Sequence, residues 1–144
     1  MSQIVHAGLI TLYQGGHWRG VLIEGPSGAG KSDLALRALR LGFRLVADDR
    51  VTLWTSQGRL YGAAPPSLAG LVEVRGLDVI AAPQRAFAEV RLVVECTDEA
   101  PERIPEPQTR VFLGVARPLI KLRPLEASAP QKLIEALSLL GGAP

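Results

Sequence analysis

Apolar residues recur along this chain in short runs separated by glycine and proline, and the period of the runs changes three times. Residues 3–12 (QIVHAGLITL) alternate in part, as a strand with one buried face does, and residues 18–24 (WRGVLIE) end in a continuous apolar run that suits a buried strand. Gln14, Gly15, Gly16 and His17 between them are a turn signal. Residues 31–41 (KSDLALRALRL) switch to helical spacing, with apolar positions at 34, 35, 38, 39 and 41, and Gly42 suits a stop just past the helix. Short strands are then expected at 43–47 and 51–55, the latter turning through Ser56, Gln57 and Gly58 into 59–62. A Pro-containing loop spans 63–70, and residues 71–80 are extended but broken at Gly76. A strand follows at 88–95, then an exposed acidic loop with three prolines at 97–109, then strands at 110–113 and 117–122. Helical spacing returns at 128–140, with Ser128 as N-cap and Pro130 in the first turn. Many strands and two clear helices predict a mixed α/β domain.

Composition narrows this further. At 144 residues the chain has the size of one ordinary domain, with 47% hydrophobic and 21% charged residues, which argues against disorder. Cys96 is alone, which excludes an internal disulfide framework and a cysteine-based zinc site, and two histidines make a histidine-rich metal site a poor expectation. There is no apolar run of the roughly 18 residues that a membrane span needs, and the start MSQIVHAGL lacks the features of a signal peptide. The expectation is a soluble, reducing, cytoplasmic setting with no membrane partner. The net charge of +2 is too small to imply a nucleic-acid partner. Of 16 basic residues only Lys31, Lys121 and Lys132 are lysines, a bias towards arginine that genome composition explains more simply than phosphate recognition does.

The strongest chemical signal is Gly25, Pro26, Ser27, Gly28, Ala29, Gly30, Lys31 and Ser32, which match G-x-x-x-x-G-K-[ST] at every fixed position. The match lies after a predicted buried strand and before a predicted helix, as its mechanism demands. Glycines let the backbone curl into an anion nest, and the helix N-terminus adds its positive dipole end. Lys31 reaches β- and γ-phosphates, and the Ser32 hydroxyl binds Mg²⁺. Asp48 and Asp49 close the strand at 43–47, at the carboxyl end where α/β sheets gather ligands. One carboxylate can hold Mg²⁺ and the other can take a proton from an attacking hydroxyl, or both can shape the turn and pair with Arg50.

Other residues read plainly on pattern alone. Glu73 and Arg75 alternate on one face and fit a surface ion pair. His6, in an apolar strand, fits a satisfied core histidine. Arg103 fits a solvated charge in the Pro-rich loop, and Cys96 a small strand-end residue. His17, Trp18 and Trp54 fit hairpin or core packing.

The order GPSGAGKSDLALRAL, GFRLVADDRV, LAGLVEVRGLDVI resembles the catalytic domain of bacterial HPr kinase/phosphorylase, over roughly residues 4–82. The phosphate loop is common to many families, whereas LVADDRV and EVRG together are far more specific. The resemblance implies an α/β P-loop kinase fold akin to that of phosphoenolpyruvate carboxykinase, with residues 1–144 as one catalytic domain in a short form. It implies an ATP-dependent, Mg²⁺-using enzyme that phosphorylates a serine on HPr, the phosphocarrier of the sugar phosphotransferase system. Many members reverse this with inorganic phosphate, and members assemble as hexamers. Residue by residue, it makes Lys31 the catalytic lysine, Ser32 and Glu73 the Mg²⁺ ligands, and Asp49 the proton acceptor with Asp48 supporting metal or base. It aligns His6 with an active-site histidine and Arg103 with a later active-site arginine. Asp78 stands where the family usually has Gly, and the stretch linked to reversal survives only as LRPLEAS at 122–128, so the kinase direction is the better supported. Two rivals share the loop. A small-molecule kinase would need an Arg-clustered lid, unlike the Pro-rich 97–127, and a non-catalytic nucleotide sensor would need no Asp48, Asp49 and Glu73.

Overall fold

A computed structural model describes residues 1–66, 70–74, 76–82 and 84–142, apart from the side chain of Glu73. Its elements run β1 (Ser2–Gln14), β2 (His17–Glu24), α1 (Lys31–Leu39), β3 (Arg44–Ala47), β4 (Arg50–Ser56), β5 (Arg59–Ala63), β6 (Leu71–Val74), β7 (Asp78–Ala81), β8 (Ala88–Cys96), β9 (Gln108–Phe112), β10 (Val115–Leu122) and α2 (Ala129–Leu140). Three of the turns have two residues, both at positive φ: Gly15 and Gly16, Gln57 and Gly58, Leu113 and Gly114. That conformation matches the right-handed twist of paired strands, so each turn makes a tight hairpin. The first two were expected from their glycines.

Two sheets share β1 and β8. The first has the order β3–β1–β2–β8–β10–β9, with β2, β8 and β10 parallel to one another. The second uses the start of β1 (residues 2–6), β4, β5 and the start of β8. Because β2 also pairs β8, the path β2–β1–β4–β5–β8 returns to its origin. The strand sequences explain the layering. Val21, Ile23, Leu92 and Val94 pack towards the helices with Leu34, Leu133 and Leu137, whereas Leu22 and Val93 pack towards the second sheet with Leu53 and Leu60. Each of these leucines is fully buried, worth about 1.5–3 kcal/mol apiece.

Helix ends follow the expected chemistry in one case and depart from it in the other. Gly42 has φ +99°, its N–H reaches the Leu39 carbonyl at 3.4 Å, and the Phe43 N–H reaches Ala38 at 3.4 Å, a Schellman closure. Regular helix stops at Leu39, two residues before the expected end. Ser128 does occupy the N-cap position of α2, but its side chain makes no capping hydrogen bond. Its backbone carbonyl accepts the Lys132 N–H at 3.0 Å as the first bond of the helix, and Pro130 has no N–H to be capped. The break expected at Gly76 is the turn of a β6–β7 hairpin, with φ +83°. Strand β9 starts at Gln108, inside the expected loop. No helix among the described residues is long and apolar enough to cross a membrane.

Candidate active site

The loop of residues 25–30 links the buried end of β2 to the first turn of α1. Gly25 has φ +153°, and a Cβ there would lie 3.0 Å from the Cys96 Cβ at the end of β8. Only glycine therefore lets the chain turn this close to β8. Gly28 and Gly30 also have positive φ, and the Ala29 N–H bonds the Pro26 carbonyl at 3.1 Å. Lys31 folds over the loop, its Nζ donating to the carbonyls of Gly25 at 2.5 Å and Pro26 at 3.2 Å. These residues border a cavity of about 460 Å³, lined by Ser27, Gly28, Gly30, Lys31 and Ser32 from the loop. Asp49, Val74 and Leu125 close it from three other segments.

The acidic pair divides its work. Ser32 Oγ donates to Asp48 Oδ1 at 2.7 Å, which places two hard oxygen donors side by side at the foot of the loop. Mg²⁺ is held through one or two carboxylates plus substrate phosphates, so this donor set fits the ion. Asp49 reaches the cavity through a strained backbone. Its φ is +73°, which costs a non-glycine residue of order 1–3 kcal/mol. The turn is held in place by the Ala7 N–H on the Asp49 carbonyl at 3.0 Å and the Arg50 N–H on the Asp48 carbonyl at 2.9 Å. The pair thus both shapes the turn and faces the loop.

His6 is not a core histidine. Its Nδ1 lies 3.7 Å from Asp49 Oδ1, and both side chains are 57% exposed. The reason is that residues 2–6 of β1 leave the first sheet to pair with β4, where they are largely open to solvent. Arg103 is exposed in the segment before β9 and does not line the cavity. The backbone of Glu73 lies in β6 opposite Val79, while its side chain and the whole of Arg75 lie outside the described residues.

Three residues were given no part in the site by pattern. Cys96 supports Gly25, and burial pushes its thiol up from 9.0 to about 11, with Lys31 lowering it less. Glu24, the last residue of β2, lies opposite Glu95 and 3.6 Å from Arg110. Burial raises its carboxyl above the usual range, Arg110 opposes this, and Glu95 adds to it. Leu125 is 73% exposed yet sits on the loop, its Cδ2 3.2 Å from where a Cβ of Gly30 would be. A leucine in a Pro-containing tail gave no signal of that contact.

The family model for the HPr Serine kinase C-terminal domain matches residues 1–135. The chain belongs to that family. Relatives named HPr kinase/phosphorylase include one from Enterococcus faecalis, 40% identical over 98 residues that cover 62% of this chain and 30% of the relative. Another, from Lactiplantibacillus plantarum, is 37% identical over 109 residues, covering 70% of this chain and 33% of the relative. The chain thus spans about a third or less of the length of the curated relatives it matches. Among solved structures, the Hpr(Ser) kinase/phosphatase from Coxiella burnetii superposes with a TM-score of 0.79 at 28% identity, covering 95% of this chain and 94% of that one. The expected α/β P-loop kinase fold is the fold of this HPr serine kinase family member.

Proposed function

We propose that residues 1–144 form one catalytic domain that transfers the γ-phosphate of ATP to a serine of an HPr-like phosphocarrier, regulating the sugar phosphotransferase system. The observation that carries this is the sharing of one cavity by the phosphate loop and Asp49. A bare nucleotide sensor has no use for a strained carboxylate at that position. The names of the relatives support HPr as acceptor, and the reading includes a cytoplasmic setting, expected from the sequence.

The chain's own residues divide the chemistry. The loop and the start of α1 hold the triphosphate, and Lys31 leaves the Gly25 and Pro26 carbonyls to neutralise phosphate charge. Ser32 and Asp48, with Glu73, would hold Mg²⁺, which when bound would neutralise charge on the phosphates. Asp49 accepts the proton of the acceptor hydroxyl, and His6 beside it orients that carboxylate. Arg103 joins the site only if the segment carrying it folds inward when the acceptor binds. The family resemblance further suggests a homo-oligomer and reversal by inorganic phosphate, the latter with its usual segment reduced to residues 122–128.

The test is transfer from γ-labelled ATP with Mg²⁺ to purified HPr, beside an HPr whose regulatory serine is alanine. Label on the wild-type carrier alone is expected, and inorganic phosphate added afterwards tests reversal. ATP binding without label on any carrier would instead leave a nucleotide sensor.

A further inference from the structure

A second cavity of about 360 Å³ adjoins the phosphate-loop cavity, and Leu125 lines both. Its other walls are Thr97 and Asp98, which follow β8, and Arg123, Pro124 and Glu126, which follow β10. These are the carboxyl ends of parallel strands, where α/β sheets bind ligands.

Strand order indicates which part of a nucleotide would enter it. In the order β3–β1–β2–β8–β10, β2 feeds the phosphate loop. Asp49 follows β3, two strands to one side, and residues 123–126 follow β10, two strands to the other. In-line phosphoryl transfer sets the entering and leaving oxygens on opposite sides of the γ-phosphorus. With the acceptor hydroxyl at Asp49, the leaving diphosphate extends towards β10.

The surface there is already assembled. Arg37 donates from Nη1 to the Glu126 carbonyl at 3.0 Å and from Nη2 to the Pro124 carbonyl. Arg123 Nε donates to the Asp98 carbonyl at 2.9 Å, and the Thr97 N–H to the Leu122 carbonyl at 2.9 Å. Leu125 remains exposed on this fixed loop, an apolar face that a flat ring would cover. Asp98 and Glu126 bring carboxylates, the acceptors that ribose hydroxyls and exocyclic amines require, and Lys132 donates to Glu126 Oε2 at 2.8 Å.

We infer that the second cavity is the nucleoside subsite, which takes the ribose and base of the triphosphate held on residues 25–32, with Leu125 as the side chain that covers the ring. The inference rests on the phosphate-loop reading above. Calorimetric titration of the whole chain with ADP, and separately with pyrophosphate, tests it in the wild type, Leu125→Ala and Leu125→Met. ADP affinity should fall about tenfold in Leu125→Ala, the order that one buried leucine supplies, and recover in Leu125→Met. Pyrophosphate affinity should fall clearly less than ADP affinity in Leu125→Ala, because Leu125 only borders the phosphate-loop cavity. An equal loss for both ligands, no loss for ADP, or wild-type affinities that are equal for the two would each overturn the subsite and leave the phosphate loop standing. Binding of neither ligand by the wild type would remove the phosphate-loop reading itself.

Discussion

The two flanks of β2 are built on different principles. On the β3 side, Asp48 and Asp49 are adjacent in sequence, and Asp49 is aimed by a strained backbone whose neighbours are two main-chain hydrogen bonds and an exposed histidine. On the β10 side, residues 123–126 are relaxed at the surface but tied to α1 by one guanidinium reaching across 87 and 89 residues of chain. The first flank concentrates its chemistry in a few consecutive residues and stays open, as a site that admits a protein side chain must. The second is assembled by long-range contacts and presents shape more than reactivity.

The strongest way to break the contrast is to remove chemistry from the first flank without altering its shape. Asn tolerates the left-handed backbone that Asp49 adopts, so Asp49→Asn keeps the turn. Phosphate transfer should fall by about 10²–10⁴, the usual contribution of a positioned base, while ATP affinity holds. Single-turnover rates beside equilibrium binding would show the split, and a variant that turns over like the wild type removes Asp49 from the base role.

Next in size is the reverse operation, loosening the second flank. Arg37→Ala removes two donors to backbone carbonyls and the pair with Asp33, whose Nε to Oδ2 distance is 3.0 Å. The side chain is partly exposed, so the expected loss is about 1–2 kcal/mol in denaturant unfolding. Amide exchange at residues 123–128 should accelerate while that at Ala7 and Arg50 does not. Equal acceleration on both flanks would mean that the two are one unit.

This division also explains what could be read from the residues. The phosphate loop, the acidic pair and the Gly42 helix stop depend on consecutive residues, so their geometry follows from local sequence. His6 does not: alternation along β1 is the same whether its first half faces the core or pairs with the open β4, and only the sharing of β1 by two sheets decides it. Leu125 and Arg37 meet through contacts that no spacing encodes. Ser128 occupies the expected cap position, yet its side chain makes no capping bond, and Pro130 in the first turn has no N–H to offer one.

Between the flanks lies Cys96, under Gly25. Its thiol is held neutral by burial, with a value of about 11 against an ordinary 9.0. As pH rises past 9.0 the unfolded chain loses the thiol proton while the folded chain keeps it, so folding weakens towards pH 11. Unfolding midpoints of wild type and Cys96→Ala, compared across that window, should show wild type losing ground with rising pH. At pH 8 the native thiol should resist iodoacetamide, because little thiolate is present. Rapid alkylation of the folded protein would show that the support under the loop opens.

The smallest effect is expected at Glu24, at the same junction. Burial dominates over Arg110 and raises its carboxyl above 4.5, so the neutral form is the one the fold prefers. Below that value both states are protonated and nothing is lost. As pH rises through it the unfolded chain releases its proton first, and native stability declines until the folded carboxyl also ionises. Glu24→Gln cannot titrate and keeps the neutral shape, so the variant should gain on wild type from pH 4 towards neutrality, by less than about 1 kcal/mol because the group is only partly buried. Thermal unfolding of both proteins at several pH values measures that difference. A difference that runs the other way would mean that the Arg110 pair, at 3.6 Å, outweighs burial, and that the root of the phosphate loop is held by charge and not by packing.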